Sequence, residues 1–176
     1  CTLYNCLLTT NWSDHGGGTD ASTLNNCTLI GNLADNGGGA CDSVLNNCLL
    51  TGNVASNYGG GTYYSTLDHC TLTGNAATNV GGGTYEGVLS NCTLTGNAAG
   101  FGGGSSSGLL YQCTFISNSA SFGGGADRCR LHECMLFGNV ADYGGGAFRG
   151  ILYNCLLTGN SAGGGGGVHQ GILYHC

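Results

Sequence analysis

Apolar positions return along this chain in a short alternating beat that restarts about every 21 residues. Each unit carries Cys-x-Leu-x, as in Cys70-Thr71-Leu72-Thr73 and Cys92-Thr93-Leu94-Thr95. Alternation with period two predicts a short strand with one buried face. A second Leu stands three residues before each such Cys, from Leu3 to Leu173. Five residues after each Cys comes Asn, and two after that comes Ala in every unit but the first. A GGG run follows in each unit, and three consecutive glycines would cost a helix about 2–3 kcal/mol. Short strands separated by tight turns are what remains.

The repeat decides the architecture. The cysteines at 6, 27, 48, 70, 92, 113, 134, 155 and 176 are spaced by 21 residues, or by 22 in the third and fourth units. A fixed period of this length predicts a solenoid. The sequence is therefore read as all-β, a single-stranded parallel β-helix (β-solenoid) of eight rungs of 21–22 residues, one domain over 1–176. The extra residue of the longer units precedes GGG, so a turn absorbs it. Stacked rungs repeat about every 4.8 Å. Neither end departs from the repeat columns, so the solenoid is read as uncapped. Such ends predict head-to-tail self-association into a filament, or continuation into neighbouring repeats of a longer chain.

Each column has an expected task. The Leu and Phe columns fill the interior. Asn11, Asn32, Asn53, Asn75, Asn97, Asn118, Asn139 and Asn160 should sit at a turn and form an amide ladder. Cys6, Cys27, Cys48, Cys70, Cys92, Cys113, Cys134, Cys155 and Cys176 should point inward as a thiol stack. Bridging between rungs is a second reading, strained because stacked Cβ atoms lie near 4.8 Å apart and disulfides prefer about 3.8 Å. Cys1 and Cys129 share another column, and Cys41 stands alone. The GGG run should give positive φ and close backbone approach at a corner.

Composition narrows the function classes. There are 37 Gly, 12 Cys, no Pro and no Lys. Only 7% of residues are charged, against about 25% in an ordinary domain. Nine acids face only Arg128, Arg130 and Arg149, for a net charge of −6. Nucleic acid and polybasic membrane contact are both disfavoured, and no apolar run reaches the length of a membrane-spanning helix. The chain begins at Cys1 inside the repeat, which reads as a mature or cut chain.

The unit C-T-L-T-G-N-x-A-x-x-G-G-G resembles the repeats of chlamydial polymorphic outer-membrane proteins and related adhesin-like bacterial surface proteins. In those, a GG motif is paired with a motif like Leu72-x-x-Asn75 or Phe115-x-x-Asn118. The resemblance implies a right-handed parallel β-helix, secretion and an extracellular or cell-surface role. The Cys column departs from that family.

The expectation drawn from all this is a non-enzymatic extracellular scaffold, filament protomer or adhesin segment. Its alternative is a carbohydrate- or ice-binding module. Only Thr71/Thr73 and Thr93/Thr95 complete an outward Thr pair, so an ice-binding face is thin. Asn11-Trp-Ser, Asn26-Cys-Thr and Asn91-Cys-Thr are glycosylation sequons, and Tyr4, Tyr111, Tyr153 and Tyr174 form a column suited to glycan partners or another chain. No catalytic residue, metal cage or cofactor site is assigned. The carboxylates do not pair as a hydrolase needs, and Asp127, Arg128, Arg130 and Glu133 are read as a surface salt-bridge patch.

Overall fold

The computed structural model describes all 176 residues and consists of strands and turns. One turn of the coil contains β1 (Thr2–Tyr4), β2 (Leu7–Thr9), β3 (Trp12–His15) and β4 (Thr19–Asp20), and Thr23–Asn25 opens the next turn. Equivalent strands pair in parallel from rung to rung. The result is four sheets of nine, eight, eight and eight strands, here called A, B, C and D after β1 to β4. The fold is an all-β parallel β-solenoid of eight turns.

Register is kept column by column. Leu3 pairs with Leu24 and Leu24 with Leu45 in sheet A. Leu8 pairs with Leu29 in sheet B, and Phe115 takes the Leu position between Leu94 and Leu136. These two columns, with the cysteines between them, form one buried cluster along the axis. A fully buried Leu contributes about 2 kcal/mol by burial, so the interior is a row of similar small contributions. Small residues face it from the other side: Ala34 and Ala55 on sheet C, Ala40, Thr62 and Thr84 on sheet D.

The coil turns at four corners, each built on a left-handed residue. Asn26 (φ 54°) precedes Cys27 between sheets A and B, and Gly31 (φ 60°) precedes Asn32 between B and C. Gly37 (φ 67°) opens the C–D corner, and Asp42 (φ 45°) precedes Ser43 between D and A. The same columns keep positive φ around the whole coil, including at Ala21, Tyr64, Glu86 and Arg149. A left-handed non-glycine residue costs about 1 kcal/mol, so the corners hold a spread of small strains.

In the GGG run the first glycine takes the expected positive φ. The second glycine is required by packing. A Cβ on Gly82 would lie 2.4 Å from the carbonyl oxygens of both Ala98 and Gly103. The longer units bulge where their extra residue falls, with a register shift between Ala55 and Tyr58.

Asn32, Asn53, Asn75, Asn97, Asn118 and Asn139 of the B–C corner are buried, and with Asn11 and Asn160 at the ends they are joined along the axis. Asn97 Nδ2 donates to Asn118 Oδ1 at 3.0 Å and to the Leu72 carbonyl at 3.0 Å. Its own Oδ1 accepts from the Asn75 backbone N–H at 2.9 Å and from Asn75 Nδ2 at 3.1 Å.

Three substitutions test this account by urea unfolding. Gly82→Ala should lose about 3 kcal/mol through overpacking against two carbonyls. Asn97→Ala should lose about 3 kcal/mol by leaving buried partners unpaired. Ser117→Gly should gain about 1 kcal/mol, because Ser117 (φ 52°) stands in a column otherwise mostly glycine.

Candidate anion site

The D–A corner places its left-handed column at the surface, and two of the chain's three arginines fall in it. Arg128 and Arg149, both at φ 52°, occupy this column on consecutive rungs. Arg130 opens the sheet A strand of the same rung as Arg128 and pairs in register with Leu109 and Ile151. The three guanidinium side chains border one hollow of about 330 Å³, shared with Ser107, Leu109 and Ile151. A chain without Lys and with net charge −6 thus gathers all its arginines at one place.

Asp127 lies beneath them with a side chain only 1% exposed. Arg149 Nη2 donates to its Oδ1 at 3.4 Å, and Arg128 Nε lies 3.9 Å from its Oδ2. Ser106 Oγ donates to Oδ2 at 3.4 Å. Arg149 is further fixed by the Phe148 ring, whose centroid is 4.1 Å from its guanidinium carbon, a cation–π contact. Burial raises the Asp127 carboxyl above its ordinary range, against the opposing charges of Arg128 and Arg149. Three guanidiniums face one carboxylate, leaving two positive charges. Arg130 makes no ion pair, and Arg149 Nε is buried without a hydrogen-bond partner.

The expected surface salt-bridge patch is therefore corrected. Asp127 is interior, Arg149 from the next rung joins it, and Glu133 stands apart, accepting from Gln112 Nε2 at 3.0 Å. Period counting missed Arg149 because it lies 22 residues beyond Asp127 and belongs to the adjacent column. The signal was available in the spacing of 21 between Arg128 and Arg149.

Other singled-out residues are placed as follows. Cys27 through Cys155 of the column are buried, while Cys6 is half-buried and Cys176 exposed; all twelve cysteines are unpaired thiols. Asn11, exposed at the end rung, donates from Nδ2 to Asn32 Oδ1 at 3.0 Å and so joins the amide row. Asn26 and Asn91 are exposed corner residues, and Asn91 Nδ2 donates to Asp68 Oδ1 at 3.2 Å. The Tyr column includes a histidine: Tyr111, His132, Tyr153 and Tyr174 stack with centroids 5.1, 4.6 and 4.8 Å apart. Asp20, Cys41 and Asp42 bring ligand-type atoms within 4.8 Å of one another. There burial, then the charge of Asp42, pushes the Cys41 thiol up to about 12.

No family model matches the chain, and no curated protein matches it. Among solved structures, it is similar to trypsin-treated QnrB1, a plasmid-mediated fluoroquinolone resistance protein. The identity is 15%, with 99% of this chain and 92% of that chain covered, and the TM-score is 0.36. Full-length QnrB1 is similar at 12% identity, with 99% and 94% covered and a TM-score of 0.35. Likeness at this level does not transfer a function. Both are described as resistance proteins; the expected role as scaffold, filament protomer or adhesin segment gains no support from them and is withdrawn. Its carbohydrate- or ice-binding alternative is withdrawn with it. The outward face of sheet B, on which an ice-binding role would depend, exposes Ile30, Met135, Phe137 and Leu156.

The raised Asp127 carboxyl has a pH consequence. The folded state binds its proton more tightly than the unfolded chain does, so this group's contribution to stability falls as pH rises from the ordinary carboxylate range through its raised value. Asp127→Asn should remove that slope from the stability–pH profile. Arg149→Ala should raise the Asp127 carboxyl further, measured by NMR titration of its carboxyl carbon.

Proposed function

We propose that the chain is a non-enzymatic binding module whose arginine corner holds an oxyanion, a phosphate or carboxylate group of a ligand. The observation that carries this reading is the convergence of Arg128, Arg130 and Arg149 on one hollow, with Arg130 engaged in no ion pair. Planar guanidiniums match such groups with paired N–H donors. The rigid corners beneath them fix two of the three backbones, so little ordering remains to oppose binding.

Binding without turnover is supported by the groups present. Asp127 is buried and held by Arg128, Arg149 and Ser106. Cys129, which also borders the hollow, is 2% exposed, and burial pushes its thiol up to about 12. Neither is poised as a nucleophile or a base. Three arginines at one point of an acidic chain also fall short of the extended cationic stripe that nucleic acid requires, which favours a single anionic group. The likeness to chlamydial surface-protein repeats stays a likeness of repeat units, and no role is taken from it.

Calorimetric titration with inorganic phosphate and with citrate tests the proposal. At low ionic strength, saturable binding to one site is expected for at least one of them. Arg130→Ala should weaken it about tenfold, the loss of one charge-assisted hydrogen bond, while Arg130 makes no ion pair whose loss would disturb the fold. Absence of heat with both probes, or binding unchanged in Arg130→Ala, would overturn it.

A further inference from the structure

The thiol column is a second feature with chemistry of its own. Its nine cysteines occupy the A–B corner of successive rungs, in one orientation. Each buried thiol points to the carbonyl two residues before it, at 3.3 Å for Cys27, 3.1 Å for Cys92 and 3.2 Å for Cys113. Six of the sulfurs, those of Cys27, Cys48, Cys70, Cys92, Cys134 and Cys176, also accept the backbone N–H of the preceding rung's cysteine at 3.4 Å. The sulfurs are therefore held in single file at the rung repeat of about 4.8 Å.

That spacing is long for a disulfide, whose sulfurs lie about 2.05 Å apart. It suits a different bond arrangement. Thiolate–metal bonds are about 2.3 Å, so an ion bound linearly by two sulfurs spans about 4.6 Å. Soft d¹⁰ cations favour thiolates and accept two-coordinate geometry. We infer that adjacent thiols of this column form linear two-sulfur sites for a soft d¹⁰ cation. The coordination axis runs along the solenoid.

Charge selects among such ions. A divalent ion such as Hg(II) binds two thiols by breaking two S–H bonds and forming two S–Hg bonds. Two protons leave to solvent and nothing is oxidised or reduced. The product is neutral, so no net charge is left in an interior where an unpaired charge is expensive. Where a backbone N–H is already directed at a sulfur, as at Cys70 and Cys92, it remains as a donor to the bound thiolate. Two protons leave for each ion bound, so uptake should weaken as pH falls. Nine thiols in single file pair into four sites with one left over.

Serine can replace these cysteines with the local geometry kept. In the D–A corner, Ser22, Ser43 and Ser65 bond the carbonyl two residues back at 2.9, 2.6 and 3.0 Å, as the thiols do. Ser22 and Ser43 also donate their backbone N–H to the next serine's hydroxyl, at 3.1 and 3.2 Å. The test therefore uses the reduced full chain with Cys1→Ser, Cys41→Ser and Cys129→Ser as background, and two variants of equal thiol count. One carries Cys113→Ser, Cys134→Ser, Cys155→Ser and Cys176→Ser, leaving five contiguous thiols. The other carries Cys27→Ser, Cys70→Ser, Cys113→Ser and Cys155→Ser, leaving five thiols with no adjacent pair.

Hg(II) is supplied in glutathione buffer at pH 7, retained metal is counted by native mass spectrometry, and sulfur coordination is read by X-ray absorption. Circular dichroism confirms that each variant is folded. The background chain should retain four ions, the contiguous variant two and the alternating variant none, each ion with two sulfurs at about 2.3 Å. Equal retention by the two five-thiol variants, three sulfurs per ion, or no retention by the background chain would each overturn the inference.

Discussion

Every turn of this coil must solve the same backbone problem four times. A left-handed residue redirects the chain at each corner, and the residue after it is then left with an N–H directed along the axis. At the A–B and B–C corners, and at the D–A corner where the next rung carries Ser or Cys, the acceptor is a side chain of that rung. Cys70 N–H meets Cys92 Sγ, Asn75 N–H meets Asn97 Oδ1, and Ser22 N–H meets Ser43 Oγ. Sulfur, amide and hydroxyl do the same task with different reach. At the fourth corner no side chain fits, and glycine N–H groups bond glycine carbonyls directly, as from Gly82 to Gly102. A buried N–H without an acceptor costs about 1–3 kcal/mol, so the repeat columns that look decorative in sequence are obligations of the backbone.

This constraint separates the inside of the coil from the outside. Inward corner positions hold Cys, Asn or Ser, whose side chains supply hydrogen bonds along the axis, or Gly where space is shortest. At the A–B, B–C and D–A corners the left-handed residue just before each of them lies toward solvent and is restricted mainly by φ. In the D–A corner that column holds Ala21, Asp42, Tyr64, Glu86, Ser107, Arg128, Arg149 and Gln170. A position with fixed backbone and free side chain can vary without disturbing the coil. The arginine corner uses that freedom, two of its guanidiniums being carried on backbone held by rung-to-rung bonds, from Arg128 N–H to the Phe148 carbonyl and from Arg149 N–H to the His169 carbonyl.

Asp127 shows where the two regimes meet. Its column on sheet D otherwise holds Asp20, Cys41, Tyr63, Tyr85, Ser106, Phe148 and His169. Only at Asp127 is a carboxylate both buried and set against cations. Burial alone would favour its neutral form, and Arg128 and Arg149 oppose this. The arginines consequently divide their donors between the buried carboxylate and the hollow, and Arg130, which is not engaged by it, faces the hollow alone.

The fold was legible in the sequence because a solenoid writes its geometry as a period. Cysteines 21 or 22 residues apart, Leu columns in phase with them, and glycine runs too costly for helix left one architecture. The inward rows of Leu24, Asn97 and Cys92 were legible for the same reason, since identical residues in register must stack. What the period could not show was how many corners divide each rung, because a left-handed residue carries no fixed identity: Asn, Gly, Tyr and Arg all serve. Nor could it show that only the first glycine of each run needs positive φ, the second being excluded from any side chain by carbonyls of the next rungs. The site stayed hidden for a related reason. Arg128, Arg149 and Arg130 come from two rungs and two columns, and only closure of the coil brings Asp127 beneath them and sets their charges around one hollow.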